Sequence, residues 1–379
     1  MTEETTTPSP VVEASTKAYG RLESDIRLAH TDSKARLAPG PVQPHSRERR
    51  EEAIEALLSP GATRPKGAGN RAREEEPDIY RTCFERDLDR IKYSHPFRRL
   101  AGKCQVFLAP DDAHIRNRMT HAIEVSQVAL SISNTLGLNS ALVEAIALGH
   151  DCGHGPGGHA SEDAFASFID GGYDHAIYGA DVVLTPLNLC AETLDGIRHH
   201  SWRLPAPLTP EGEVVSISDR LAYVAHDADD AVRAGIIRAE ELPESVKEVL
   251  GTRQSAQIAS LIDGVVTASS ATGLIGIDQD VALALDDFRK FNYERIYLRP
   301  AASRQSKKVI DMLAALVEHF ADAPGQIPSV STGEWADVVS GSAEAYETSV
   351  RYVSGMTDHF AIATAMAIGM PPEQLPRGV

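Results

Sequence analysis

After about residue 77, apolar side chains recur at helical spacing, and this repeat constrains the fold more than any other feature of the sequence. In residues 118–138 the stripe consists of His121, Val125, Val128 and Ile132. Gly137 follows it and suits a helix C-terminus. The same period returns in residues 140–154, 219–235, 303–321 and 343–368. Because the alternation typical of strands is rare, the sequence predicts an all-α fold.

The first 76 residues differ from the rest in composition. They contain one aromatic residue, Tyr19, and are rich in Pro and Gly, so they offer little side chain for a core. We expect residues 1–76 to form a disordered or weakly structured tail. A short amphipathic helix over residues 46–58 is predicted to dock on the protein or to remain transient.

Net charge and cysteine content limit the classes of function. The formal net charge is −17, and nearly all of it lies after residue 76. Such a body repels polyanions, which argues against broad binding of nucleic acid or membranes. The sequence has no apolar run long enough to span a bilayer and no signal-like N-terminus, so we expect a cytoplasmic protein. Four cysteines without a CxxC pair indicate reduced thiols rather than a thiolate zinc site.

The stretch GHDCGHGPGGHASED, residues 149–163, concentrates histidines, carboxylates and glycines. With helical stripes on either side, it suggests one set of four groups: His121, His150, Asp151 and Asp219. Imidazole nitrogens and carboxylate oxygens together suit divalent ions such as Mn²⁺, Fe²⁺, Ni²⁺ or Mg²⁺. A hydrogen-bonded core residue is the simpler interpretation for any one of them alone. The four in order favour a metal site.

The order H…HD…D resembles the HD-domain phosphohydrolases. Five blocks are similar, in sequence order, to the deoxynucleoside triphosphate triphosphohydrolases: RDLDRIKYSHPFRRLAGKCQVF, RNRMTHAIEVSQVA, HDCGHGPGGHASED, GGYDHAIYGADVV and SDRLAYVAHDADDAVRAG. The resemblance extends over residues 80–300. It implies an HD-domain helical bundle over residues 77–320, with additional C-terminal helices over residues 321–379 packed on it.

The resemblance also implies roles for particular residues. The family's metal ligands fall on His121, His150, Asp151 and Asp219. Its catalytic residues fall on His159, Glu162 and His175, with His159 as a general acid oriented by Glu162. Its substrate contacts fall on Gln105, Arg118, Tyr223, Asp227, Arg289 and Tyr297. The implied reaction converts a dNTP, either dGTP or several dNTPs, to a deoxynucleoside and inorganic tripolyphosphate. The implied cofactor is Mn²⁺ or Mg²⁺, with Fe²⁺, Co²⁺ or Ni²⁺ as alternatives.

Two departures from the family bear on the nucleobase preference. Bacterial members usually carry Leu-Gly-His-Pro-Pro-Phe after the HD pair, whereas this chain has CGHGPG at residues 152–157. We expect the glycine at the aromatic position, Gly157, to remove packing near the pocket. Ala176 stands where relatives commonly have Asn, which removes a polar contact.

Several alternatives remain open. The chain could hydrolyse another nucleotide, or be a non-catalytic nucleotide sensor. Tyr223 could be a core residue, and Asp227 part of an acidic face. The resemblance further implies a homo-oligomer. Arginines of the N-terminal tail could bind single-stranded nucleic acid weakly.

Overall fold

The computed structural model describes residues 22–23, 26–30, 34–107, 112, 114–328 and 338–376. The rest of the predicted tail, including residues 1–21, lies outside this description. The chain divides into two units, residues 1–45 and 46–379. The described part of the first unit holds two short antiparallel strands, β1 (Leu22–Glu23) and β2 (Ile26–Arg27), in which Leu22 pairs with Arg27.

The described part of the second unit is built from helices. In chain order the first eight are α1 (Arg47–Glu55), α2 (Cys83–Tyr93), α3 (His95–Arg99), α4 (Arg118–Leu136), α5 (Ser140–Gly149), α6 (His159–Phe165), α7 (His175–Tyr178) and α8 (Ala191–Arg198). The next seven are α9 (Pro210–Arg233), α10 (Glu244–Val249), α11 (Gln254–Thr272), α12 (Gln279–Asn292), α13 (Pro300–Asp322), α14 (Ala343–Ser354) and α15 (Asp358–Ala367). The predicted all-α fold is confirmed. No helix in the described residues is long and apolar enough to cross a membrane.

Side-chain caps fix the helices that carry the predicted site. Asn117 caps α4 and forms a capping box with Thr120, and Gly137 ends the helix in the left-handed conformation at φ 66°. Asn139 caps α5, because its side chain accepts the N–H of Leu142. The C-terminal end of α5 lies beside the N-terminal half of α4, where the ring centroids of His150 and His121 are 5.5 Å apart.

Two hydrophobic cores lie in the second unit. The larger is formed mainly by α2, α4, α5, α8, α9, α11 and α12. The smaller is formed mainly by α6, α13, α14 and α15. The segment from Cys152, in the larger core, to Ala160, in the smaller one, passes from one to the other. The glycine-rich stretch noted in the sequence is therefore the junction between the cores.

Residues 46–76 belong to the second unit, so the predicted tail is wrong for them. Arg71 forms a buried ion pair with Asp87 at 2.6 Å, and both side chains are at most 1% exposed. The backbone N–H and hydroxyl of Thr63 donate to the buried carboxylate of Glu211. The amino-acid composition of residues 46–76 did not predict this docking, because polar contacts rather than aromatic side chains hold the segment in place.

Candidate metal and phosphate site

Three helices bring the four predicted metal ligands together. His121 lies near the start of α4, His150 and Asp151 follow the end of α5, and Asp219 lies in the middle of α9. His121 Nε2 is 2.9 Å from Asp219 Oδ1. His150 Nε2 is 3.8 Å from the same oxygen and 3.4 Å from Asp151 Oδ1. The interpretation of these residues as one cluster therefore agrees with the geometry.

The chemistry of the donor set fits a divalent ion. His150 Nδ1 lies 2.7 Å from the carbonyl oxygen of Ala147, and a carbonyl only accepts, so Nδ1 carries the proton and Nε2 presents a lone pair. That Nε2 atom is buried and has no hydrogen-bond partner in the described structure. A buried nitrogen lone pair that points at two carboxylates is unfavourable in free energy unless a cation binds between them. His121, His150, Asp151 and Asp219 could hold such an ion.

The electrostatics of the cluster keep its carboxylates ionised. Burial opposes charge on both His121 and Asp219, but their contact raises the pKa of His121 and lowers the pKa of Asp219. Burial likewise opposes ionisation of Asp151, but the charges of Arg118 and the neighbouring histidines hold its pKa well below the usual value. The two carboxylates are therefore ready to bind a cation at neutral pH.

Arg118 contacts the metal cluster and also carries unpaired hydrogen-bond donors. Its side chain is 1% exposed, and its Nη1 donates to Asp151 Oδ2 at 2.7 Å. Its Nε and Nη2 are buried without a partner, as is Oε1 of the predicted substrate residue Gln105. A Cβ on Gly158 would lie 2.6 Å from Arg118 Nη2, so glycine leaves the guanidinium room at this point. Unpaired guanidinium N–H groups beside a metal cluster suit phosphate oxygens.

His159 begins α6 beside this arginine. Its side chain is exposed, and its ring centroid is 5.1 Å from that of His154 and 6.0 Å from that of His175. Desolvation of the ring by the protein atoms packed around it, followed by the charge of Arg118, lowers the pKa of His159 to about 4 even though the residue reaches solvent. The predicted orientation of this ring by Glu162 is wrong, because the carboxylate of Glu162 is committed elsewhere.

Glu162 pairs with His175 rather than with His159. Its Oε1 accepts hydrogen bonds from the backbone N–H and from Nδ1 of His175, and Arg203 Nη2 lies 3.1 Å from Oε2. Glu162 is 7% exposed and His175 is 4% exposed. The carboxylate of Glu162 therefore bonds His175 and Arg203 instead of His159, its neighbour on the same short helix. The geometry therefore links the predicted catalytic residues Glu162 and His175 and leaves His159 separate.

Sequence reasoning missed two buried histidines at the site. His154 stacks on His175 with ring centroids 3.7 Å apart, and its Nε2 is 3.3 Å from Asp151 Oδ1. His200, which follows α8, places its Nε2 3.1 Å from His175 Nε2. Burial, with His150 and His175 close by, lowers the pKa of His200 to about 3. The position of His154, three residues after Asp151 in the sequence, could have identified it as a site residue. No feature of the sequence pointed to His200.

The predicted substrate residues on α9 and beyond form a neighbouring group. Tyr297 donates its hydroxyl hydrogen to Asp227 Oδ2, and burial raises the pKa of Asp227 to about 7. Tyr223 is half-buried and packs partly against the larger core. Arg289 contacts Asp286 on its own helix at 3.3 Å. Arg220, next to Asp219, stacks over Trp202 at 3.4 Å, and in the described structure it has no ion pair.

The glycine at residue 157 does not leave a gap. It has φ 74°, and a Cβ at this position would lie 2.4 Å from Val309 Cγ1 of α13. The expected loss of packing is therefore wrong, since α13 fills the space. The N–H of Gly157 donates to Asp358 Oδ1 at 2.9 Å, which ties the glycine-rich segment to α15.

Two known domain families match parts of the chain. Residues 118–224 match the HD domain, and residues 275–367 match the phosphohydrolase-associated domain. The metal cluster described above lies within the first of these ranges. A solved hypothetical protein from Aquifex aeolicus is 18% identical with a TM-score of 0.48, covering 76% of this chain and 69% of that one.

Sequence relatives are closer. A deoxyguanosinetriphosphate triphosphohydrolase-like protein of Caldanaerobacter subterraneus subsp. tengcongensis is 38% identical over 334 residues, covering 86% of this chain and 96% of its own. One of Clostridium perfringens strain SM101 is 37% identical over 306 residues, covering 76% of this chain and 87% of its own. The chain therefore belongs to the deoxyguanosinetriphosphate triphosphohydrolase-like family of HD phosphohydrolases.

Proposed function

We propose that this protein hydrolyses deoxynucleoside triphosphates, dGTP or several dNTPs, to a deoxynucleoside and inorganic tripolyphosphate. The observation that carries the proposal is the dual contact of Asp151. Its Oδ1 faces the histidines of the metal cluster, while its Oδ2 holds Arg118, whose other N–H groups are unpaired. One carboxylate thus places a metal site and a phosphate-binding cation side by side.

The residues divide into those that hold the triphosphate and those that move protons. A divalent ion at His121, His150, Asp151 and Asp219 would act as a Lewis acid on the substrate's phosphate. Arg118 offsets charge on the phosphate tail from inside the protein, where its attraction is little screened by solvent. Arg220 on α9, which stacks over Trp202, is a further candidate for binding the phosphate tail, whereas Arg289 on α12 pairs with Asp286.

In the proposed reaction, water attacks the α-phosphorus, the bond from that phosphorus to the 5′ oxygen breaks, and the proton lost by the water passes to solvent. The leaving deoxynucleoside oxygen needs a proton, and His159 is our candidate donor. Its pKa of about 4 leaves the ring neutral at pH 7 in the free protein. A bound triphosphate, with several negative charges, raises that pKa and so favours the protonated ring in the substrate complex.

The sugar side of the substrate is assigned to Tyr223 and to the pair of Asp227 and Tyr297. Asp227 and Tyr297 form a buried hydrogen bond, and both have polar atoms that a sugar hydroxyl can bond. Relatives bear the name of a dGTP hydrolase, which supports a guanine nucleotide among the substrates. Homo-oligomerisation and weak binding of single-stranded nucleic acid by the N-terminal arginines stay predictions.

Product analysis tests the proposal. The protein is incubated with each dNTP and Mn²⁺ or Mg²⁺, and the phosphorus-containing products are identified by ³¹P NMR. Tripolyphosphate should appear with wild-type protein and should be lost with Asp219→Ala, because that variant lacks a charged metal ligand. Release of orthophosphate or pyrophosphate would contradict the proposed reaction.

A further inference from the structure

Two cysteines meet beneath the segment over residues 46–76, and the proposed reaction uses neither of them. Cys83 is the first residue of α2, and Cys190 directly precedes the first residue of α8. Both have free thiols and are at most 1% exposed. Elements that are distant in the sequence therefore bring two thiols to one buried place.

The buried ion pair of Arg71 and Asp87 fixes the backbones of both cysteines. Arg71 Nη2 donates to the carbonyl oxygen of Cys83 at 2.9 Å, and Arg71 pairs with Cys190 in an isolated antiparallel bridge. Asp87 Oδ2 accepts the N–H of Cys190 at 2.8 Å. Because these contacts converge on one ion pair, the two cysteine backbones have little freedom to move apart.

Gly69, in the covering segment, packs against both sulfur atoms. A Cβ on Gly69 would lie 2.4 Å from Sγ of Cys190 and 3.4 Å from Sγ of Cys83, so the two sulfurs share one small space. Within it, the thiol of Cys190 hydrogen-bonds Cys83. Rotation of the two side chains can therefore bring the sulfurs to the separation of a disulfide, about 2.05 Å.

The surroundings make Cys83 the more acidic of the two thiols. The hydrogen bond from Cys190, helped by the backbone N–H of Lys66, lowers the pKa of Cys83 against the effect of burial. The same contact raises the pKa of Cys190. The thiolate is the reactive form of cysteine, and the N-terminus of a helix, where Cys83 lies, favours that anion. Cys83 is therefore suited to react first and Cys190 second.

The segment over residues 46–76 controls the access of an oxidant to this pair. Besides Gly69, the segment is held by the ion pair of Arg71 and by polar contacts such as that of Thr63 with Glu211. Segments with few apolar contacts open locally while the rest of the protein stays folded. A molecule as small as hydrogen peroxide can then reach the two sulfurs, although both are buried in the closed structure.

We propose that Cys83 and Cys190 are a redox-sensitive pair, which hydrogen peroxide converts to a disulfide between α2 and α8. The Cys83 thiolate attacks one peroxide oxygen, the O–O bond breaks, and the released hydroxide takes a proton to form water, which leaves a sulfenic acid on Cys83. The Cys190 sulfur then attacks the sulfenic sulfur, and hydroxide leaves with the Cys190 proton as a second water. The two thiols lose two electrons, and peroxide gains them. This modification requires neither substrate nor metal, so the inference goes beyond the proposed function.

Thiol counting and peptide mapping test the proposal. Full-length protein is treated with an excess of hydrogen peroxide, quenched, unfolded with iodoacetamide present, and analysed by mass spectrometry without reduction. Untreated protein should show four free thiols, and oxidised protein should show two. The intact mass before alkylation should fall by two hydrogen atoms. A peptide pair joining Cys83 to Cys190 should appear and should disappear with dithiothreitol.

Two serine variants control for the identity of the pair. Cys83→Ser removes the first sulfur, so no linked peptides should form under the same treatment. Cys104→Ser is the matched control, because it removes a different buried thiol and leaves the pair intact. It should still lose two thiols. Circular dichroism checks folding, and Cys190→Ser replaces Cys83→Ser if the latter unfolds.

Four free thiols after a peroxide treatment that oxidises free cysteine would overturn the proposal. So would a bridge that involves Cys104 or Cys152, or a sulfenic acid on Cys83 that does not proceed to a disulfide. A protein that forms the bridge yet releases no tripolyphosphate would overturn only the proposed function, so the two failures are distinguishable.

Discussion

At the scale of single residues, buried polar atoms with unused bonding capacity surround the site. Among the described residues, unpaired atoms include Oε1 of Gln105, Nε and Nη2 of Arg118, Nε2 of His150 and Nδ1 of His154. Each such atom costs free energy when it is left without a partner in the folded protein. Arg118, His150 and His154 lie around Asp151, where a ligand or an ion could bond their unpaired atoms.

Replacing His159 with Ala separates proton donation from metal binding. The variant should keep its metal and bind dNTP, since neither the ligands nor Arg118 are changed. Turnover should fall by about 10²- to 10⁴-fold, the usual contribution of a general acid. Elemental analysis, nucleotide binding and steady-state kinetics measure the three quantities.

An activated aryl phosphate ester, if the pocket admits it, provides the control for this variant. Its leaving group needs no proton, so the defect should nearly vanish. If the variant loses metal, or loses the same factor on both substrates, His159 is a ligand or a structural residue.

Asp227 gives the fold a pH dependence that Asp227→Asn should remove. Burial raises the folded-state pKa from 3.8 to about 7. The fold therefore favours the protonated acid, and its free energy of unfolding decreases as pH rises from about 4 to about 7. At about 1.4 kcal/mol per pKa unit, the loss is at most about 4 kcal/mol.

Urea unfolding of wild type and Asp227→Asn at pH 5 and pH 8, with chelator present, measures this effect. The variant should gain stability relative to the wild type at the higher pH, because Asn carries no ionisable group. An equal difference at both pH values would show that the carboxyl of Asp227 titrates normally.

The sequence could predict which residues gather at the site better than it could predict their pairing. His121, His150, Asp151 and Asp219 lie together because helical stripes and the HD pair fix their faces. The spacing of His159 and Glu162 suggested a pair, but Glu162 turns to His175 and Arg203. Those partners come from other segments, which a local pattern does not specify.

At the scale of elements, the start of α15 holds the glycine-rich segment in place. Asp358 accepts hydrogen bonds from the N–H groups of Gly157 and Cys104, both at 2.9 Å. Lys103 Nζ donates to the carbonyl oxygens of His154 and Ser354, the latter at 2.8 Å. The C-terminal helices therefore fix the backbone that leads to His159.

Asp358→Ala should weaken both stability and turnover. A buried N–H group, that of Cys104, and a partly buried one, that of Gly157, lose their acceptor, which costs about 2–4 kcal/mol in the free energy of unfolding. Displacement of the segment before His159 should lower turnover by about 10- to 100-fold while metal content stays unchanged. Chemical denaturation, kinetics and elemental analysis follow the three properties.

His359→Ala is the matched control for this element, because its exposed side chain follows Asp358 on the same helix. It should match the wild type in all three measurements. Wild-type stability and turnover in Asp358→Ala would show that α15 does not position the segment.

The long helices α4 and α9 were predictable from the sequence, whereas α11, which has 19 residues like α4, lay outside the predicted ranges. The long helices α4 and α9 carry several turns of apolar repeat, so their pattern stands out. Short helices such as α6 and α7, of seven and four residues, span two turns or fewer and show no period. These short helices nevertheless carry His159, Glu162 and His175, so the least predictable elements position the proposed proton chemistry.

At the scale of the whole molecule, the segment over residues 46–76 is part of the folded unit. Removal of residues 1–76 would leave Asp87, which is fully buried, without its partner Arg71. An unpaired buried charge costs about 3–5 kcal/mol. We therefore expect the thermal midpoint to be lower by about 10 °C than in a variant lacking only residues 1–45.

A point substitution tests the same contact in the full chain. Arg71→Met should destabilise the protein strongly, whereas Arg73→Met, at an exposed neighbouring position, should have little effect. Equal midpoints for Arg71→Met and Arg73→Met would show that the ion pair contributes little. The sequence did not predict this ion pair, because its partners lie 16 residues apart and only one of them, Asp87, belongs to a helix.

The central claim is that water attacks the α-phosphorus and the deoxynucleoside leaves with its 5′ oxygen. Hydrolysis of dGTP in H₂¹⁸O with Mn²⁺, followed by mass spectrometry of both products, tests it most directly. We predict one ¹⁸O atom in the tripolyphosphate and none in the deoxynucleoside. Label in the deoxynucleoside hydroxyl, or in released orthophosphate or pyrophosphate, would contradict the claim.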